Sequence, residues 1–194
     1  VVHRTQDNIG ANTNISIAQI EDQLIILNED YSKTNPEFPN PPRNTFLNYA
    51  GNPELKFCLA TIDPNGNLTT GITRTPTSKT GWDYDTESND MKQASSAGID
   101  NWDPLRYLNI WIFTIGSSCG GQTLVYAYLP GLQGGNQSWK DGIVVDYRFF
   151  GTVGNSSNSS DGRTTTHEVG HYLGLSHTFC ESSGCCDNDL NGNY

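Results

Sequence analysis

The sequence predicts an α+β domain with one long amphipathic helix, several short strands and a second helix that carries the chemistry. Three observations point there. A capped amphipathic segment opens at residue 16. Short apolar runs rich in β-branched and aromatic residues follow, bounded by Gly, Pro and Asn turn signals. Near the end, histidines recur at helical spacing.

Val1 and Val2 read as the end of a strand. Ser16-Ile17-Ala18-Gln19 reads as a capping box, with Gln19 three residues after the Ser16 cap, and Ile15 and Ile20 are placed as its hydrophobic staple. Ile17, Ile20, Leu24, Leu27 and Tyr31 then form one helical stripe. The prolines between 33 and 53 mark a loop. Leu55 to Ile62 reads as a strand closed by the turn Asp63-Pro64-Asn65-Gly66. Arg106 to Ile115 is the most apolar run and predicts a central strand buried on both faces. Thr123 to Leu129 and Ile143 to Tyr147 read as two further strands. A Ser/Asn-rich loop leads into a second helix from about Asp161 to Leu173.

Composition narrows the function classes. Of the 194 residues, 35% are hydrophobic and 16% charged, and 20 are glycine, so the domain is loop-rich. The bulk needed for a core comes from 4 Trp, 9 Tyr and 7 Phe. No apolar run approaches the ~20 residues of a membrane span. No basic, apolar and small-residue leader opens the sequence. A net charge of −10 argues against nucleic acid and against an anionic membrane surface, since both are bound through Lys and Arg.

The cysteines Cys58, Cys119, Cys180, Cys185 and Cys186 contain no C-x-x-C pair, which excludes a zinc ribbon. A secreted, disulfide-bearing chain fits better, but five is odd, so at least one cysteine lacks a partner in this sequence. Asn14, Asn67, Asn136, Asn155 and Asn158 begin N-x-[ST] sequons, several of which chance would supply.

Three of the 4 histidines stand in one segment, His167-Glu168-Val169-Gly170-His171-Tyr172-Leu173-Gly174-Leu175-Ser176-His177. On a helix, His167 and His171 lie one turn apart on one face. Their imidazoles can share one zinc ion at ~2.0–2.1 Å. Gly174 can take the left-handed conformation that ends a helix, which lets His177 approach the same metal. Three neutral nitrogens leave a fourth position for water, the pattern of a catalytic rather than structural zinc site. Glu168 lies beside the first ligand and is placed to act as general base on that water. The bland alternative is a helix with ordinary surface or core histidines.

The extended H-E-x-x-H-x-x-G-x-x-H motif resembles the metzincin clan of zinc peptidases. Asn101-Trp102-Asp103-Pro104, Tyr107-Leu108-Asn109-Ile110-Trp111, Cys58-Leu59-Ala60, Gly71-Ile72-Thr73-Arg74, Tyr126-Ala127 and His167 to Phe179 resemble the pappalysin family within it. The likeness runs from Val1 to about Asp189. It implies a zincin-like upper catalytic subdomain over residues 1–177, with a twisted mixed sheet, a backing helix and an active-site helix. Residues 178–194 would begin a lower subdomain. It implies a secreted endopeptidase acting on polypeptides, with Leu124, Val125, Tyr126 and Ala127 on the upper rim of the cleft, where a substrate adds as an antiparallel strand. The other reading of these residues is an ordinary edge strand. The resemblance also implies calcium after the third histidine, and Glu181, Asp187, Asn188 and Asp189 offer hard oxygens there. A solvated acidic loop is the alternative.

Metzincins carry a methionine turn well after the third histidine. The single methionine, Met91, precedes His167 and cannot serve. Nor does any residue match the tyrosine that pappalysins place after that methionine. The expectation is therefore a longer natural protein, or a missing part that is a separate or disordered piece, with that C-terminal portion completing the cleft and pairing the odd cysteine. Cys58–Cys119 is a possible bridge. Two other function classes stay open on the sequence: a zinc-binding but inactive fragment or module, and a carbohydrate-binding domain.

Overall fold

A computed structural model describes residues 1–38, 44–116, 123–128, 130 and 135–177. Strand β1 (Val2–Arg4) is followed by helix α1 (Ile17–Ser32). Strands β2 (Thr75–Thr77) and β3 (Trp82–Asp83) lead into the short helix α2 (Tyr84–Glu87). Then come β4 (Ile110–Phe113), β5 (Ile115–Gly116), β6 (Val125–Tyr128), β7 (Gly142–Asp146) and helix α3 (Arg163–Tyr172).

The main sheet has the order β4-β7-β6 and is mixed. β4 runs parallel to β7, with Ile110 opposite Ile143, and β6 runs antiparallel to β7, with Val125 opposite Val145. Two smaller parallel pairs, β1-β2 and β3-β5, flank it. Alternation of side chains along each strand gives the sheet two apolar faces. Ile112, Ile143 and Val145 pack with Ile20, Leu27 and Val169 of the helices. Trp111, Phe113 and Val144 pack with Trp82 and Met91 on the other face. Fold class and sheet type are those the sequence predicts.

Several particulars differ. The central strand is β7, whose five residues are all buried, and not the run from Arg106. In that run the strand proper starts at Ile110. The Asn109 carbonyl just before it already accepts from the Ile143 amide at 2.9 Å, while the Asn109 side chain accepts from the Trp102 N–H and donates to its C=O, both at 2.8 Å. Leu55 to Ile62 joins no sheet. Both backbone groups of Phe57 are taken by the Asn28 side chain of α1, at 2.8 and 2.9 Å, and Leu55 and Ile62 are exposed.

Helix α1 keeps its cap: the Ser16 hydroxyl accepts from the Gln19 amide at 3.1 Å, and Ile15 and Ile20 are buried together. Only half of the capping box forms, since the Gln19 side chain turns inward instead. Ile17, expected on the buried stripe, is exposed, while Gln19 and Gln23 are fully buried. Gln19 donates to the carbonyls of Tyr147 and Phe150 and accepts from the Asn155 amide. Gln23 donates to the Gly162 carbonyl at 2.8 Å and accepts from the Gly151 amide at 2.7 Å. Buried amides need such partners, and here they tie α1 to the loop that delivers α3. The Asn14 sequon is closed to a glycan in this fold, because its side chain is buried between Arg74 and the Asp7 carbonyl.

Candidate metal centre

Helix α3 starts at Arg163, two residues later than the sequence suggests, because Gly162 sits at φ 71° as its N-cap. A side chain at 162 would be strained there, and its Cβ would lie 2.4 Å from Ile26 Cδ1. The helix is held against the C-terminal half of α1. Tyr31 Oη donates to the Thr166 carbonyl at 3.2 Å, Thr166 Oγ1 donates to Asp30 at 2.8 Å, and Arg163 pairs with Asp30 at 3.4 Å.

The helix ends as the sequence suggests. Gly174 has φ 87°, and the amides of Gly174 and Leu175 return to the carbonyls of His171 and Gly170 at 2.8 and 2.9 Å. That double return is the Schellman pattern, which reverses the chain within two residues. The reversal brings His177 back over the helix.

The Nε2 atoms of His167, His171 and His177 consequently form a triangle with every edge 2.9 Å. A ring nitrogen either donates or accepts and never both, so the three Nε2 atoms cannot bond one another all round the triangle. Three nitrogens gathered this closely form a donor set that could hold a single metal ion. Ideal tetrahedral zinc needs edges of ~3.3 Å at 2.0–2.1 Å bond lengths, so the donor set fits after a small outward relaxation. The fit extends outward: His171 Nδ1 lies 2.8 Å from the Leu175 carbonyl. That carbonyl accepts only if Nδ1 carries the proton, which leaves Nε2 bare for a metal. Burial, with His171 and His177 beside it, holds His167 below the ordinary imidazole range.

Glu168, the next residue along, points about 100° round the helix from His167 and is buried, close to His171, His177 and the Ala127 backbone of β6. Burial pushes its carboxyl above the ordinary carboxylate range; His171, His177 and a hydrogen bond from the Ala127 amide pull it back. An open cavity of about 420 Å³ beside the triad is lined by Asp30, Tyr31, Thr166, Leu175 and Ser176 together with the ligands.

The chain is similar to known proteins. The model of metallo-peptidase family M12 (Reprolysin_5) matches residues 1–194. The chain belongs to metallo-peptidase family M12. Among solved structures it is similar to mature mirolysin of Tannerella forsythia in complex with a cleaved peptide, at 40% identity and a TM-score of 0.81, covering 96% of this chain and 66% of that one. This agrees with the metzincin, pappalysin-like resemblance of the sequence. Curated M12-like relatives include an extracellular metalloprotease of Arthroderma benhamiae, 28% identical over 184 residues, covering 93% of this chain and 52% of the relative. Another, from Verticillium alfalfae, is 29% identical over 182 residues, covering 90% of this chain and 49% of the relative. The chain thus spans about half the length of these two relatives.

Within this M12 chain, Leu124 precedes β6, and its carbonyl accepts from the Asp146 amide at 2.9 Å. In an antiparallel pair such bonding alternates. Residues 124, 126 and 128 therefore face β7 with their peptide groups, and Val125 and Ala127 turn theirs to the outer edge. Among the described residues no strand pairs with that edge. Glu181, Asp187, Asn188 and Asp189 lie outside the described residues, as do Cys119, Cys180, Cys185 and Cys186. Sequence reasoning missed Leu175 and the buried pair Gln19 and Gln23. The Gly174 signal, followed two steps further, marks the Leu175 carbonyl. Glutamines four apart beside an apolar stripe mark the pair.

Proposed function

We propose that this chain is the upper catalytic subdomain, residues 1–177, of a secreted zinc endopeptidase, with residues 178–194 beginning a lower one. The observation that carries the reading is the convergence of three histidine Nε2 atoms at 2.9 Å beside a buried glutamate. His167, His171 and His177 would hold zinc, with His171 oriented by Leu175. Bound zinc supplies Lewis acidity to the scissile carbonyl and acidifies a water. Glu168 takes the proton from that attacking water and later returns it to the leaving amine. Its raised proton affinity, from burial, suits both transfers. The Ala127 amide keeps the carboxylate in place between them.

The substrate would lie as an extended strand on the outer edge of β6, bonding the N–H and C=O of Val125 and the C=O of Ala127. The names of the relatives, extracellular metalloproteases, support secretion. A calcium ion on Glu181, Asp187, Asn188 and Asp189 belongs to the same reading and is supported by the sequence resemblance alone.

The test is zinc content and casein cleavage on the same sample, for the wild type and Glu168→Ala. The expected result is one zinc per chain in both and a loss of about 10²-fold or more in cleavage in the variant. Equal cleavage by the two proteins would overturn the reading.

A further inference from the structure

Lys92 is the largest side chain fully enclosed in the described residues, at 1% exposure, and the chemistry at the metal centre does not use it. It closes a short 3-10 turn, Asp90–Lys92, on the face of the main sheet away from α3. Its Nζ lies 5.1 Å from the ring centre of Trp111, 5.5 Å from that of Tyr126 and 4.1 Å from that of Tyr128. It also donates to the Lys140 carbonyl at 2.5 Å. Trp111 belongs to β4, both tyrosines belong to β6, and Lys140 leads into β7. One side-chain amine therefore meets β4, β6 and the segment that leads into β7.

A buried amine is costly to desolvate, and an apolar chain of similar volume would fill the space without that cost. What an apolar chain lacks is a donor for the Lys140 carbonyl and a cation for three ring faces. The neighbours act in the same direction. Tyr126 donates through its hydroxyl to the Ser88 carbonyl, and Asn89 donates to the Tyr128 hydroxyl at 3.1 Å. Residues 126 and 128 are thus anchored behind the sheet, while 125 and 127 between them offer their peptide groups to the outer edge.

We propose that Lys92 is a positioning residue for β6, setting from behind the place at which an extended peptide pairs with Val125 and Ala127. This rests on the reading of β6 as the substrate strand. Lys92 touches neither the metal ligands nor the edge itself, so its effect falls on substrate binding and not on the chemical step.

The experiment uses the full-length zinc-loaded protein, with labelled casein as substrate. Lys92→Met is expected to keep its zinc and its kcat within about twofold, and to raise KM about tenfold. The Tyr126 amide, which faces β7, exchanges hydrogen faster in that variant, while the amides of α3 do not. Lys92→Arg, which keeps a cation and a donor, recovers part of the KM. Should Lys92→Met not fold, Tyr128→Leu removes the nearest ring and raises KM in the same sense. An unchanged KM overturns the proposal, and so does joint loss of zinc and kcat, which would mark a general structural role. A separate arm tests the reading beneath it. In a Glu168→Ala background a casein-derived peptide stays intact, and it should slow exchange at the Val125 amide. If it does not, β6 is not the substrate strand and the proposal falls with it, whatever the Lys92 variants do.

Discussion

Gln23 and Gly162 stand 139 residues apart in sequence, and the side-chain amide of the first donates to the carbonyl of the second at 2.8 Å. Gly162 is the N-cap of the helix that bears His167 and His171. The backing helix therefore fixes where the ligand helix starts. Gln23→Leu keeps the volume but strands the Gly162 carbonyl and the Gly151 amide in a buried place. The expected loss is about 2–4 kcal/mol of stability, with weaker zinc binding. Urea unfolding and a zinc competition titration measure the two. A variant as stable as the wild type would show that water replaces the glutamine.

Gly174 has open space where a Cβ would sit, so only its backbone conformation resists substitution. Gly174→Val should cost about 1–2 kcal/mol and displace His177, whereas Gly174→Asn, which tolerates positive φ, should keep most of the metal affinity. Equal affinities for the two variants would show that the helix end does not govern the third ligand.

Zinc that binds only the folded chain raises stability with the logarithm of its free concentration. The melting temperature should climb as free zinc is raised above its dissociation constant and fall on chelation. In His177→Ala the dependence should shrink sharply. A melting temperature indifferent to zinc in the wild type would contradict a preformed three-histidine site.

Burial lowers the Lys92 ammonium to about 7; Asp141 opposes the shift and Lys140 adds to it. Tyr126 and Tyr128 on β6, Asp90 on its own turn and Tyr84 against Tyr126 complete its titratable surroundings. In the unfolded chain a lysine titrates near ~10.4. Between these values the unfolded state holds a proton that the folded state has released, so the contribution of this group to stability rises with pH from about 7 to about 10 and is least below 7. Lys92→Met lacks that slope. Urea unfolding across this range should show the wild type gaining on the variant as pH rises. Parallel profiles would mean that Lys92 keeps its proton in the fold.

The histidine cluster was legible in the sequence because its members are local: helical spacing places His167 and His171, and Gly174 supplies the turn to His177. The sheet was legible in kind but not in order. β7 has only the signal of three apolar residues before Asp146, yet it is central because both neighbours pair with it. Arg106 to Ile115 is longer and more apolar, but it has β7 as its only neighbour in the main sheet. Phe57 is kept from pairing because its backbone is claimed by Asn28 from a helix 29 residues earlier. Polar side chains that satisfy distant backbone leave no periodic trace. The same reason hid Gln19 and Gln23 behind an otherwise regular apolar stripe.

The three histidines that would hold the metal follow β7 in the chain, in one run from His167 to His177. As the polypeptide leaves the ribosome, every described strand can emerge before the first of them does. Capture of an ion by this run would then be a late event in biosynthesis, coming after the strands of the scaffold have been made.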